Sequence, residues 1–212
     1  MDIAIIGAGN VGRALATSAI RTGHSVTVSS SNGATAAKLA EETGATAAAS
    51  NRAAAEGAEL IVLAVPYAAI VDVLDEVGAA LAGKIVVDAT NPLKADNSGL
   101  ATEGTSGAEE IQARLPQSHV VKAFNTQFAA RQTDPRIAGL AVDGFVAGDD
   151  EEAKAVVLDL VKDIGFNPID AGPFAMSRAL EAMAFLNISL QIKNNWSWQA
   201  GWKLVGPDGD AA

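Results

Sequence analysis

Residues Ile3 to Gly12, I-A-I-I-G-A-G-N-V-G, constrain this chain more than any other stretch. Ile3 to Ile6 is an apolar run short enough for a strand buried on both faces. Gly7-Ala8-Gly9-Asn10-Val11-Gly12 follows without a gap, and Val11 to Arg21 then repeats at helical period. Strand, glycine turn and helix in that order describe a dinucleotide site, and each glycine has its own physical reason. Gly7 permits the tight turn out of the strand. Gly9, lacking a Cβ, lets the main chain approach a pyrophosphate. Gly12 lets the helix pack close to the sheet. The helix N-terminus adds unpaired N–H groups and about half a positive charge, which suit an anionic bridge.

The rest of the chain repeats this unit. Ser25 to Ser29 reads as a second strand, Ala34 to Thr43 as a helix and Ala45 to Ala49 as a short strand. Glu59 to Val65 is a parallel strand closed by Pro66, Tyr67 to Ala80 a helix, and Lys84 to Asp88 a strand running into Ala89-Thr90-Asn91-Pro92. A helix over Ala108 to Leu115 and strands over His119 to Thr126, Gly139 to Gly148 and Phe166 to Asp170 complete the pattern. Strands alternating with helices predict an α/β fold, a Rossmann-type doubly wound and mostly parallel sheet. We expect a nucleotide-binding domain over 1–165 and a helical cap or interface segment over 166–212. In that segment Leu180 to Ile192 is apolar nearly all round, which predicts burial in the core or against a second copy of the chain. Trp196, Trp198 and Trp202 cluster behind it and are read as packing residues. The glycine-rich run Lys94 to Gly107 is either a lid or a passive loop.

The second strand carries cofactor preference. A carboxylate at its end would hold a free ribose 2′-hydroxyl and repel a 2′-phosphate. Here Ser29-Ser30-Ser31-Asn32-Gly33 has none. Ser30, Ser31 and Asn32 therefore favour NADP over NAD, with Lys38 the nearest following cation. Ligands of open α/β sheets sit outside the carboxyl ends of the strands. That rule nominates Pro66, Asn91, Pro92 and Asn125 as the border of the space beside the nicotinamide.

Charge and composition exclude several classes. A net charge of −10 argues against nucleic acid and anionic membrane surfaces as partners. No apolar run approaches a bilayer span of about 20 residues. The first strand opens at Ile3, so we expect no signal peptide and a cytoplasmic location. Cysteine is absent, which removes thiolate chemistry. Asp149-Asp150-Glu151-Glu152 is read as the acidic first turn of a helix rather than a metal cluster. His24 lies in a turn and His119 at the start of a strand, away from the ligand edge, and both are read as structural.

The G-A-G-N-V-G start, the L-A-V-P strand end at Leu63-Ala64-Val65-Pro66, A-G-D-D at Ala147 to Asp150 and D-A-G-P-F-A-M-S-R at Asp170 to Arg178 together resemble the NADP oxidoreductases dependent on coenzyme F420, a deazaflavin. The resemblance implies hydride transfer between NADP(H) and that deazaflavin. It places Gly9, Asn10 and Val11 on the pyrophosphate, Ser30 and Ser31 on the 2′-phosphate, and Val65 and Pro66 along the nicotinamide riboside. Members that read deazaflavin often carry Ser-Arg in place of Ser30-Ser31 and His in place of Asn125. The run Lys122 to Thr126, K-A-F-N-T, resembles instead the cytosolic domain of the six-transmembrane metalloreductases, which implies FMN or FAD as an alternative acceptor.

Reduction of a ketone wants a proton donor beside the new alkoxide, whereas transfer between two bound rings wants alignment and excluded water. The chain offers no cysteine and no histidine at a strand's carboxyl end, and its sole tyrosine, Tyr67, has no lysine partner nearby in sequence. Ring-to-ring transfer to a small-molecule redox acceptor is therefore the expected function. The alternatives are a small imine or carbonyl reductase and a non-catalytic NADP sensor.

Overall fold

The computed structural model describes residues 1–206. In chain order the elements are β1 (Asp2–Ile6), α1 (Asn10–Arg21), β2 (Ser25–Ser29), α2 (Gly33–Thr43), β3 (Thr46–Ala47), α3 (Asn51–Glu56), β4 (Leu60–Leu63), α4 (Ile70–Val77), β5 (Ile85–Asp88), α5 (Gly107–Arg114), β6 (His119–Ala123), α6 (Ala129–Thr133), β7 (Arg136–Ile137), β8 (Leu140–Ala141), β9 (Asp143–Ala147), α7 (Glu151–Ile164), β10 (Asn167–Gly172) and α8 (Ser177–Asn194).

Eight strands share one sheet in the order β10-β9-β6-β5-β4-β1-β2-β3. From β3 to β6 every pairing is parallel, which is the doubly wound order with its switch point between β1 and β4. Beyond β6 the direction reverses: β9 pairs antiparallel with β6, and β10 runs parallel to β9. The sheet thus continues past residue 165, the boundary expected between a nucleotide-binding domain and a cap or interface segment. The end of that cap, 207–212, lies outside the described residues. The core falls in two layers, as both sheet faces are covered. Ile3, Ile5, Leu15, Val28, Leu39 and Val157 pack on one side, and Ala4, Ile6, Ile61, Leu63, Leu74 and Ile111 on the other.

Several expected elements are shorter or divided. The helix over Tyr67 to Ala80 is a 3-10 turn, then α4, then a second 3-10 turn. The strand over Gly139 to Gly148 is the short β8 and then β9, with β8 pairing to β7 in a separate two-stranded ribbon. The strand over His119 to Thr126 stops at Ala123, because Phe124 takes φ = 63° and turns the chain. Asp150 caps α7, accepting from the Ala153 N–H at 2.8 Å, and Asp149 accepts from the Phe174 N–H at 2.8 Å. The four carboxylates are thus terminal and loop-fixing groups, and the described residues contain no cluster able to hold a metal.

Candidate functional site

The three glycines of the first turn sit under three different constraints. Gly7 has φ = +120°, and a Cβ there would lie 2.3 Å from the Ala64 carbonyl oxygen at the switch point. A Cβ on Gly12 would lie 1.8 Å from the carbonyl oxygen of Gly7. Gly9 is exposed, and a Cβ on it would meet no atom within 4 Å. Two glycines are therefore required by the protein's own packing, while the middle one faces open space. Side chains of Asn32, Ser50, Ser106 and Asp150 cap α2, α3, α5 and α7, but none caps α1. Open N–H groups above a backbone with no Cβ fit a pyrophosphate.

Two cavities open on either side of this turn. The smaller, about 290 Å³, is lined by Gly7 to Gly9, Ser30, Ser31, Thr35, Asn51, Ala64 to Pro66, Ala69 and Val73. Ser30 and Ser31 line it together with the glycine turn, and Thr35 joins them from the first turn of α2. Thr35 could be found only once the helix start was known. Asn32 is not in this lining; its Oδ1 accepts from the Ala34 N–H at 3.0 Å as the α2 cap. Lys38 faces Glu42 at 3.9 Å.

The larger cavity, about 570 Å³, lies between the carboxyl ends of β5 and β6, α8 and the tail. Asn10, Val11, Asn91 and Asn125 line it; Pro92 is buried outside the lining, and Val65 and Pro66, expected on the nicotinamide side, line the smaller cavity instead because they close β4 across the turn from Gly7. Asn125 Nδ2 donates to Asn91 Oδ1 at 3.0 Å and to the Leu180 carbonyl at 3.1 Å, and Asn91 Nδ2 returns a bond to the Asn125 carbonyl at 3.0 Å. Asn125 Oδ1 is buried with no partner among the described residues. The positive φ of Phe124, unusual for a bulky side chain and costing about 1–3 kcal/mol, sets Asn125 and Thr126 on this edge. Asn97 reaches the cavity from the Lys94 to Gly107 loop. Trp198, packed edge-on against Phe128 with centroids 5.3 Å apart, forms part of the far wall. Trp198 thus combines packing with a place at the cavity.

Beneath this edge lies a charged group that the sequence reading missed. Lys122, fully buried, donates to Asp88 Oδ2 at 2.8 Å, Glu181 Oε1 at 2.9 Å and the Thr90 carbonyl at 2.7 Å. Its three protons have three acceptors. Glu181 also accepts the Gly107 and Ala108 N–H groups at the start of α5, at 3.0 and 3.2 Å. Burial nevertheless pushes its carboxyl above the usual range, against the pull of Lys122. The only available sign was a lysine inside an otherwise apolar strand.

Tyr67 lies elsewhere. Its hydroxyl donates to Glu110 Oε2 at 2.5 Å, and burial followed by that carboxylate pushes its pKa up. It lines neither cavity. His119 pairs with Asp150 at 2.8 Å at the opposite end of β6.

Residues 2–92 match the family model described as NADP oxidoreductase, coenzyme F420-dependent. An F420-dependent NADP reductase of Methanothermobacter marburgensis is 34% identical over 155 residues, 69% of this chain and 68% of the relative. Metalloreductase STEAP3 of Rattus norvegicus is 33% identical over 202 residues, 92% of this chain but 37% of the relative, so the chain spans little more than a third of that protein. A crystal structure from Arthrobacter sp. FB24, provisionally described as an F420-dependent NADP reductase, superposes with a TM-score of 0.85 at 31% identity, over 95% of this chain and 98% of that one. No helix among the described residues is long and apolar enough to cross a membrane.

Proposed function

Since the chain belongs to the family of coenzyme F420-dependent NADP oxidoreductases, we propose that it passes hydride between NADP(H) and a planar tricyclic acceptor, deazaflavin first and flavin second. One observation carries the choice of chemistry: among the described residues, no side chain lining the larger cavity can titrate near neutral pH. Its walls are amides, hydroxyls, aromatic rings and aliphatic groups. When bound, the reduced nicotinamide supplies hydride from C4, and the acceptor takes it at its central ring with a proton from water at N1.

The chain's part is binding and alignment. Gly9, Asn10 and Val11 would hold the pyrophosphate at the α1 terminus, leaving the two ends of the dinucleotide in the two cavities. Ser30, Ser31 and Thr35 would hold the 2′-phosphate by uncharged hydrogen bonds, with Asn32 fixing the turn as a cap. Val65 and Pro66 would flank the cofactor at the switch point, and Asn91 and Asn125 would orient the rings. Imine or carbonyl reduction would need a proton donor in the same cavity, and Tyr67 is tied to Glu110 outside it.

A second copy of the chain completes the reading. On α8 the inward stripe is Ser177, Leu180, Glu181, Ala184, Asn187 and Gln191, while Leu186 and Ile192 are about half exposed, at 50% and 54%. A helix that turns apolar residues outward suits a homodimer, and Leu186→Glu should yield a monomer by sedimentation where the parent is a dimer.

The test of function mixes purified protein and NADPH with coenzyme F420, FMN, FAD, a ferric chelate and a cyclic imine in turn. Bleaching of a tricyclic acceptor is expected. Oxidation of NADPH by the imine alone would overturn the proposal.

A further inference from the structure

The walls of the smaller cavity are mostly glycine, small aliphatic groups and the hydroxyls assigned above to a phosphate. Asn51, at the start of α3, is the exception. The residue is 7% exposed, and its amide orientation is fixed from α4. Asn51 Nδ2 donates to Glu76 Oε2 at 2.7 Å, while its main-chain N–H donates to Glu76 Oε1 at 3.1 Å. Turning the amide over would set oxygen against a carboxylate oxygen, acceptor against acceptor, so the amide nitrogen must face Glu76. The same arrangement leaves Asn51 Oδ1 buried with no hydrogen-bond partner among the described residues. A buried carbonyl oxygen without a donor is costly, and such atoms in native structures call for an explanation.

We propose that Asn51 Oδ1 accepts a hydrogen bond from the 6-amino group of the adenine of NADP(H), so that the Asn51–Glu76 pair reads the purine as adenine. The inference rests on the reading of this cavity as the adenosine end of the cofactor site. Ala69 and Val73 give a flat base apolar contact, and Ser30, Ser31 and Thr35 lie where a ribose phosphate would follow. Among the groups on adenine's hydrogen-bonding edge only the 6-amino group donates; the ring nitrogens accept. An unpaired acceptor held by a carboxylate therefore selects that group. A 6-oxo purine would bring a second acceptor to the same point, and the amide cannot turn to meet it while Glu76 is in place.

The experiment titrates the full chain with NADPH and with reduced nicotinamide hypoxanthine dinucleotide phosphate, whose base carries oxygen in place of the 6-amino group and a hydrogen on N1. The analogue should bind roughly tenfold or more weakly, the scale of one buried hydrogen bond lost. In Asn51→Ala the ratio of the two affinities should fall to about one, because the discriminating atom is gone. In Glu76→Ala the amide is free to rotate and offer its nitrogen to the oxo group, so the ratio should narrow while Asn51 remains. Equal affinity of the wild-type chain for both nucleotides would overturn the inference and leave NADP(H) binding standing. So would full discrimination retained by folded Asn51→Ala. Failure to bind either nucleotide would overturn the reading of the cavity and the inference with it.

Discussion

Gly7, Gly9 and Gly12 are one residue type with three fates. Substitution at Gly12 drives a Cβ into the Gly7 carbonyl, and substitution at Gly7 both clashes with Ala64 and strains a left-handed backbone. Gly12→Ala should therefore lower the melting temperature markedly. Gly9→Val has space in the protein, so its melting temperature should stay within a few degrees of the parent while NADP(H) binding by calorimetry disappears. Native affinity in Gly9→Val would reduce the motif to a turn. These roles are legible from sequence because a turn and its glycines are local. The Lys122 cluster is not, since Asp88, Lys122 and Glu181 come from β5, β6 and α8 and meet only after folding. Lys122→Met should leave two buried carboxylates without their cation and cost about 3–5 kcal/mol in denaturant unfolding. Lys122→Arg, too large for a site with no exposed surface, should not restore it.

At the scale of elements, periodicity located the helices and misjudged what α8 buries. Leu180 to Ile192 reads as apolar all round, yet the inward stripe includes Glu181, Asn187 and Gln191. They face inward because polar partners meet them there: Glu181 serves Lys122 and the start of α5, Gln191 Oε1 accepts the Trp198 main-chain N–H at 2.9 Å, and Gln191 Nε2 donates to Asn187 Oδ1 at 3.3 Å. Helical period reports which residues share a face, not what lies opposite. α6 escaped notice because five residues, A-A-R-Q-T, are too few to show a period. The start of α8 is fastened to α5 by Arg178, which grips both oxygens of Glu109 at 2.6 and 2.7 Å and, as the largest influence, lowers that carboxyl from 4.5 to about 2. A depressed carboxyl stabilises the fold fully above its unfolded value and loses that contribution as pH falls through the folded one. The stability gap between the parent and Arg178→Ala should thus be constant above about pH 5 and shrink as pH approaches 2, as followed by thermal melts. The tail is held similarly. Lys203 Nζ and the Leu204 N–H both bond the buried Asp143 carboxylate, at 2.9 and 2.5 Å, a few residues beyond Trp198. Lys203→Met should loosen this wall of the larger cavity, raising KM for the acceptor severalfold with little change in NADPH affinity.

For the whole molecule, the parallel run of the sheet from β3 to β6 was legible because alternating strands and helices admit few topologies. The reversal at β9 was not, since Asp143 to Ala147 carries no mark of strand direction. What the completed sheet does is set two cavities either side of the switch point, one walled in part by the hydroxyls of Ser30, Ser31 and Thr35 and one with no titratable side chain among the described residues. Cofactor preference follows from the first. NADP(H) should bind more tightly than NAD(H) by calorimetry, and Ser31→Asp should reverse the order by placing a carboxylate where the 2′-phosphate would lie. The manner of catalysis follows from the second, and single-turnover oxidation of NADPH by coenzyme F420 or a flavin, followed across about pH 6 to 8, tests it most directly. With no acid among the described residues of the cavity wall, the rate constant should be nearly flat over that range, and Asn125→Ala should lower it moderately without bending the profile. A steep bell-shaped profile, reporting an essential acid and base, would contradict ring-to-ring transfer by alignment alone.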